Sequence, residues 1–208
     1  MRNLFIVFEG VDGSGTSTQT TLLKNYLTAQ GIKAVETCEP SNGPIGNLIR
    51  QALKKRVLLV SDEQKFDEQM AYLFAADRYD HLYNEVDGVF KLIKDDFTVI
   101  STRYYFSSLA YHWNTLEDLE FVQKLNEKFP KPDLVIYIDI PIEVGLGRMS
   151  DRSVKDIYEN QQKLARVRKN YQEIFRNYDG LILQLDGTQD KDIVHQEIVN
   201  FLENKFGY

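Results

Sequence analysis

Leu4-Phe5-Ile6-Val7-Phe8-Glu9-Gly10-Val11-Asp12-Gly13-Ser14-Gly15-Thr16-Ser17-Thr18 is the stretch that decides the fold. Its apolar run, Leu4–Phe8, is far too short to span a bilayer. Glycines follow it rather than a small-residue cleavage site, so it reads as a strand. The glycines let the backbone curl without a Cβ in the way. The spacing meets the phosphate-binding pattern G-x-x-x-x-G-K-S/T at Gly10, Gly15 and Ser17. A helix beginning near Ser17 adds its N-terminal N–H groups and the positive end of its dipole to such a cradle. All nine residues from Gly10 to Thr18, namely Gly10, Val11, Asp12, Gly13, Ser14, Gly15, Thr16, Ser17 and Thr18, are therefore candidates for holding a polyphosphate. The Ser17 hydroxyl is a candidate ligand for Mg²⁺. The pattern's lysine is replaced by Thr16, which carries no charge. Taken alone, the loop also reads as a Gly-rich turn that merely caps a helix.

Working outward, four more segments read as strands: Ala34–Cys38, Phe97–Ile100, Leu134–Ile140 and Leu181–Leu185. They are β-branched or aromatic-rich and mostly apolar on both faces, as a parallel sheet covered on both sides requires. Helical spacing joins Ile45, Leu48, Ile49, Ala52 and Leu53, then Phe66, Met70, Leu73 and Phe74. It also joins Ile157, Leu164, Val167, Tyr171, Ile174 and Tyr178, and finally Val194, Ile198, Phe201 and Leu202. The alternation predicts an α/β fold, a doubly wound five-stranded parallel sheet with helices on both faces. No repeat or linker divides residues 1–208, which predicts a single domain. Residues 149–155 lack apolar periodicity between two helical patterns and read as a mobile lid.

The chain of 208 residues carries a formal charge of −6, with 43% apolar and 27% charged residues. That balance argues against an electrostatic grip on nucleic acid, and no segment suits a membrane. It leaves room for a small phosphorylated ligand, because local backbone N–H groups hold phosphate inside acidic proteins. The one cysteine, Cys38, excludes an internal disulfide and fits a cytoplasmic location.

Five blocks together resemble the thymidylate kinase family over nearly the whole chain. They are Phe8–Gly15; Glu39-Pro40-Ser41 with Gly43–Gly46 and Ile49-Arg50; Leu73–Arg78; Arg103–Tyr111; and Arg148, Arg152 and Asp156–Glu159. Each is modest in specificity, whereas their order and spacing are strong. The resemblance implies a P-loop kinase that passes a phosphoryl group from ATP to dTMP with Mg²⁺ as cofactor, probing no nucleic acid or membrane and pairing as a homodimer. It implies that Asp12 receives the sugar 3′-hydroxyl, that Phe74 stacks on thymine and that Arg78 hydrogen-bonds the base edge. It further implies that Arg103 grips the acceptor phosphate, that Tyr111 crowds the ribose 2′ position and that Tyr158 lines the nucleoside side. Glu39 and Arg50 fall on the same dTMP side. Arg148 and Arg152 would close over the ATP phosphates and, with Arg103, serve catalysis. By themselves Phe74, Tyr111 and Tyr158 are also ordinary packing residues, and Arg78, Arg148 and Arg152 ordinary surface charges. Arg103 ends an apolar strand at the edge where ligands bind in open α/β sheets.

Two positions depart from the family pattern. Thr16 replaces the loop lysine, and Thr102 stands where an aspartate precedes Arg103. Glu9 and Asp139 also end strands and are candidates for part of that aspartate's task. If positions 16 and 102 are neighbours, the paired loss leaves the net charge of the site unchanged. Three readings follow: an active dTMP kinase, a catalytically impaired nucleotide-binding homologue, and a kinase for dUMP or another deoxynucleoside monophosphate.

Overall fold

The structure is a computed structural model that describes residues 3–57, 60–149 and 161–208. The elements run β1 (Phe5–Glu9), α1 (Thr16–Ala29), β2 (Ala34–Cys38), α2 (Pro44–Leu53), α3 (Glu63–Tyr83), α4 (Val89–Lys94) and β3 (Thr98–Thr102). They continue with α5 (Tyr105–His112), α6 (Leu116–Asn126), β4 (Leu134–Asp139), α7 (Ile142–Met149), α8 (Gln161–Arg176), β5 (Ile182–Asp186) and α9 (Lys191–Phe206). The five strands form one sheet in the order β2-β3-β1-β4-β5, and every pairing is parallel.

Strand alternation sorts the core into two layers. Leu4, Ile6 and Phe8, with Leu134, Ile136 and Ile138, face α1 and α9 through Leu23, Leu27, Ile198 and Leu202. Phe5 and Val7, with Val135 and Tyr137, face the other layer, where Tyr104, Phe106 and Tyr111 meet Val167, Tyr171 and Phe175 of α8. Each such fully buried side chain contributes about 1.5–3 kcal/mol relative to exposure. Both faces of the central strands are thus covered, which is why their sequences are apolar without a polar side.

The third strand extends past the expected Ile100 to Thr102, because Ser101 and Thr102 continue the ladder with Val7 and Phe8. Leu48, although in register with the apolar face of α2, is 38% exposed. Tyr178 falls beyond the end of α8. Ile157, Arg152, Tyr158 and all of the expected lid except Met149 lie outside the described residues.

Because α1 packs on one face of the sheet and α5 and α8 on the other, the connections after β1 and β3 leave in opposite directions. These two strands are neighbours. A crevice therefore opens at their carboxyl ends, the location that doubly wound sheets offer to ligands.

Candidate active site

Two cavities open along this edge. The larger, of about 750 Å³, is walled by Asp12 to Gln19 after β1, Thr102 and Arg103 after β3, Arg148 of α7, and the turn from Gly187 to Lys191 after β5. The smaller, of about 110 Å³, is lined by Phe74, Arg78, Tyr104, Ser108, Tyr111 and His112 among others. Asp12 and Arg103 belong to both walls. They stand where the two cavities meet.

The first loop is shaped as the glycine spacing requires. Gly13 and Gly15 have φ of 82° and 98°, in the left-handed region open to glycine. A Cβ on Gly10 would lie 2.7 Å from the Ile138 carbonyl oxygen. Gly15 is the N-cap of α1 and no side chain caps that helix. The uncapped first turn, Thr16 to Thr18, lies on the cavity wall, as an anion site at a helix N-terminus does. Val11 differs from its neighbours, since its side chain is buried in the core. The Arg148 guanidinium bridges the loop, donating to the Gly13 carbonyl at 3.2 Å and the Gly187 carbonyl at 2.9 Å.

Arg103 is held from several sides. Its backbone has φ of 71°, a costly conformation for a side chain of this size, fixed by its amide donating to the Phe8 carbonyl at 2.8 Å. Nη2 donates to Asp12 Oδ1 at 2.5 Å and to the Tyr111 hydroxyl at 3.2 Å, while Nη1 donates to Ser107 Oγ at 3.0 Å. The Tyr111 hydroxyl donates in turn to Asp12 Oδ2 at 3.1 Å. Burial opposes the charge on Arg103, but Tyr111, Asp12 and Glu9 keep its pKa well above the usual arginine range.

The smaller pocket has an apolar wall and a polar end. Phe74 stands edge-on to His112, with ring centroids 6.0 Å apart. Burial, with Lys163 and Arg78 nearby, pushes the His112 imidazole down to about 3, so it is neutral. Arg78 is fully buried. Nε donates to Glu39 at 2.9 Å, Nη2 donates to Ser108 Oγ at 3.0 Å, and Nη1 donates to Asn126 Oδ1. Its guanidinium lies over the rings of Tyr104 and Phe129, 5.6 Å and 5.5 Å from their centroids. A buried charge is tolerated only with this degree of pairing. Arg50 is engaged elsewhere: it donates to the carbonyls of Ser41 at 2.5 Å and Pro40 at 2.6 Å. It braces the loop that carries Glu39 and is absent from the pocket wall.

The two strand-end carboxylates are turned away from the larger cavity. Asp139 accepts from Arg168 Nε at 2.7 Å and Nη2 at 2.9 Å, and from Tyr137 and Gln172. Burial pushes its carboxyl up, but Arg168 prevails and holds it below the usual range. Glu9 is wholly buried among donors from Tyr104, Ser107 and Tyr171. Neither is on the cavity wall, so the expectation that they replace the missing aspartate is corrected. Thr16 and Thr102 do share that wall, and Thr102 Oγ1 donates to Thr20 Oγ1 at 3.4 Å. Among the described residues no group of three or more His, Cys, Asp or Glu can hold a metal. A lone hydroxyl such as Ser17 suits instead an Mg²⁺ that arrives on nucleotide phosphates and keeps most of its waters.

Several wall residues were not singled out from sequence. Ser108 lay inside a recognised block without a role. The Gly187–Lys191 turn could have been found from the rule that every strand's carboxyl end faces the crevice. Behind the wall, Asn126 of α6 holds Arg78 and left no signal, while Tyr171, expected on a helical face, gave no sign of its contact with Glu9.

A glycine-rich cradle at a helix N-terminus, joined through an arginine and an aspartate to a smaller aromatic pocket, defines a nucleoside monophosphate kinase. The thymidylate kinase family profile matches residues 8–198. A protein of Methanococcus aeolicus named "Probable thymidylate kinase" is 39% identical over 98% of this chain and 97% of its own. Proteins of the same name from Thermococcus kodakarensis and Methanocaldococcus jannaschii are 36% and 35% identical, covering 98% and 97% of this chain and 99% and 97% of theirs. The chain belongs to the thymidylate kinase family.

Proposed function

We propose that the chain is a dTMP kinase, one domain over residues 1–208, that transfers the ATP γ-phosphoryl group to dTMP and yields dTDP. The observation that carries this reading is the placement of Asp12 and Arg103 on both cavity walls. ATP occupies the larger cavity with its phosphates against the uncapped first turn of α1. dTMP occupies the smaller pocket, with its base against Phe74 and facing Arg78. Glu39 fixes Arg78, Arg50 braces the loop carrying Glu39, and Asp12 and Tyr111 border the sugar. Arg103 orients the acceptor phosphate for in-line attack, and Arg148 neutralises the transferring group. Such transfer depends on position and charge neutralisation more than on covalent chemistry. Ser17 would hold the Mg²⁺, which screens the phosphate charges. Arg152 and Tyr158 are proposed for the closing segment and the nucleoside side respectively. A coupled assay of the purified chain with ATP and dTMP tests the reading, and no turnover above background refutes it.

Thr16 and Thr102 favour one second reading, a nucleotide-binding protein with little turnover. Thermal stabilisation by dTMP or ATP without product formation identifies it. A panel of deoxynucleoside monophosphates, dUMP included, sets the acceptor. A second copy of the chain fits the exposed face of α3, where Tyr72, Tyr79 and Tyr83 are 51%, 64% and 44% exposed. Sedimentation of Tyr79→Glu as a monomer, against a wild-type dimer, tests this pairing.

A further inference from the structure

Glu9 ends β1 wholly buried, yet the mechanism above gives it no part. Oε1 accepts from the Tyr104 amide at 2.8 Å and the Ser107 amide at 3.3 Å. Oε2 accepts from the Ser107 hydroxyl at 2.7 Å and the Tyr171 hydroxyl at 2.8 Å. All four partners can donate to an ionised carboxylate, whereas a protonated carboxyl would turn one hydroxyl towards the other, since the Ser107 and Tyr171 oxygens lie 2.7 Å apart. With its proton directed at Glu9, the Ser107 oxygen is left to accept from Arg103 Nη1 at 3.0 Å. The guanidinium is therefore held by Asp12 and Tyr111 on one nitrogen and by Ser107, backed by Glu9, on the other.

We propose that Glu9 is a positioning residue for the acceptor-phosphate arginine, acting through the Ser107 hydroxyl to fix the Arg103 guanidinium. This rests on the reading of Arg103 given above. The groups that face Glu9 are Arg103 from the end of β3, Tyr104 before α5, Tyr105 and Ser107 of α5, Tyr137 of β4 and Tyr171 of α8. Burial holds all four tyrosine hydroxyls far above their usual range, so they stay neutral and Arg103 is the cation among them. Burial also lifts Glu9 to about 7, against Arg103, Ser107, Tyr171 and Tyr104. Protonation near neutrality thus removes the acceptor that orients Ser107. The sign of the effect separates positioning from background charge. Deleting a negative charge near a phosphate site tightens binding of a dianion, whereas loosening its arginine weakens it.

The test is steady-state kinetics of the full chain as wild type, Glu9→Gln, Ser107→Ala and Tyr171→Phe, with ATP and dTMP from about pH 6 to 8.5. Glu9→Gln and Ser107→Ala are each expected to raise KM for dTMP about tenfold and leave KM for ATP within about twofold. Wild-type kcat/KM for dTMP should show an acid limb that Glu9→Gln lacks. Tyr171→Phe removes a donor to the ionised form and should move that limb upward. The dTMP phosphate titrates alike for every variant, so only differences between variants count. A lowered or unchanged KM for dTMP in Glu9→Gln, or a limb that Glu9→Gln retains, overturns the proposal. Should Glu9→Gln fail to fold, an unchanged KM in Ser107→Ala or an unmoved limb in Tyr171→Phe overturns it equally. Absence of wild-type turnover defeats the kinase reading alone. The positioning proposal is then decided by a crystal structure of Ser107→Ala or Glu9→Gln, where an undisplaced Arg103 guanidinium counts against it and a displaced one supports it.

Discussion

Replacing Glu9 by glutamine should change how stability depends on pH, in a direction and by an amount the structure sets. Burial raises the Glu9 carboxyl from 4.5 to about 7. Between those values the folded state binds more protons than the unfolded state. The contribution of Glu9 to wild-type stability is therefore fully present below 4.5 and declines as pH rises towards 7. Glutamine carries no such proton and lacks this slope. At about 1.4 kcal/mol per pKa unit, the gap between wild type and variant shifts by about 3 kcal/mol over the whole window, and by about 2 kcal/mol between pH 5.5 and 8.5. At the acid end the variant is the less stable protein, because the glutamine amide sets two N–H donors among the donors that surround position 9, where the protonated carboxyl sets only one. Towards the alkaline end the gap narrows or reverses. Urea unfolding followed by circular dichroism at about six pH values measures the gap directly. Curves that run parallel within about 0.5 kcal/mol would refute the reasoning, since Glu9 would then titrate alike in both states.

Arg148→Ala should lower kcat by about 10³-fold with stability unchanged, because the side chain is exposed and bridges the donor cavity; single-turnover kinetics checks it. Phe74→Ala should raise KM for dTMP roughly 5- to 150-fold, the equivalent of about 1–3 kcal/mol of base stacking, with KM for ATP unaltered. Asp139→Asn should cost about 1–2 kcal/mol of stability through loss of the charged pair with Arg168. Its kcat should stay within about threefold of wild type, and a larger fall would return Asp139 to the reaction. Thr16→Lys and Thr102→Asp should each destabilise more singly than their combination implies, by more than about 0.5 kcal/mol in a double-mutant cycle.

The fold was legible because the central strands, buried on both faces, are largely apolar, and the edge runs β2 and β5 keep enough apolar residues around the exposed Glu36 and Gln184 to become strands as well. The short α5 was not, since its Tyr-, Phe- and Ser-rich sequence has weak helix propensity and is stabilised by packing of Phe106, Ala110 and Tyr111. The α6 start did carry a signal, the Thr115–Asp118 capping box. In the site, residues adjacent in sequence to a glycine turn or a strand end were legible. Asp12, Arg103 and the loop from Gly13 to Thr18 stand where those features put them. What escaped was partnership between distant elements. Asp139 looks like a free carboxylate until α8 brings Arg168 beside it, across 29 positions of chain. Arg50 looks like a phosphate ligand until the Pro40 and Ser41 carbonyls turn towards it.

We read Thr16 and Thr102, where the family pattern would carry a lysine and an aspartate, as a paired loss whose effect depends on the range at which charge acts. The charged side chains on the donor-cavity wall are Arg103, Arg148 and Lys191 against Asp12 and Asp190. Adding one cation and one anion to that wall would leave its sum unaltered. Beyond about 8 Å, where salt screens exposed charges, an incoming polyphosphate responds to that sum and not to its parts. Attraction of ATP to the cavity is therefore insensitive to the paired loss. At hydrogen-bond distance the parts matter, because a charge-assisted contact is roughly twice as strong as a neutral one. The loss therefore falls on the transferring group, where Arg148, anchored on the Gly13 and Gly187 carbonyls, brings a cation to the loop. A loop whose cation reaches it from α7 couples phosphate neutralisation to the position of that helix, a coupling that a lysine fixed in the loop would not impose.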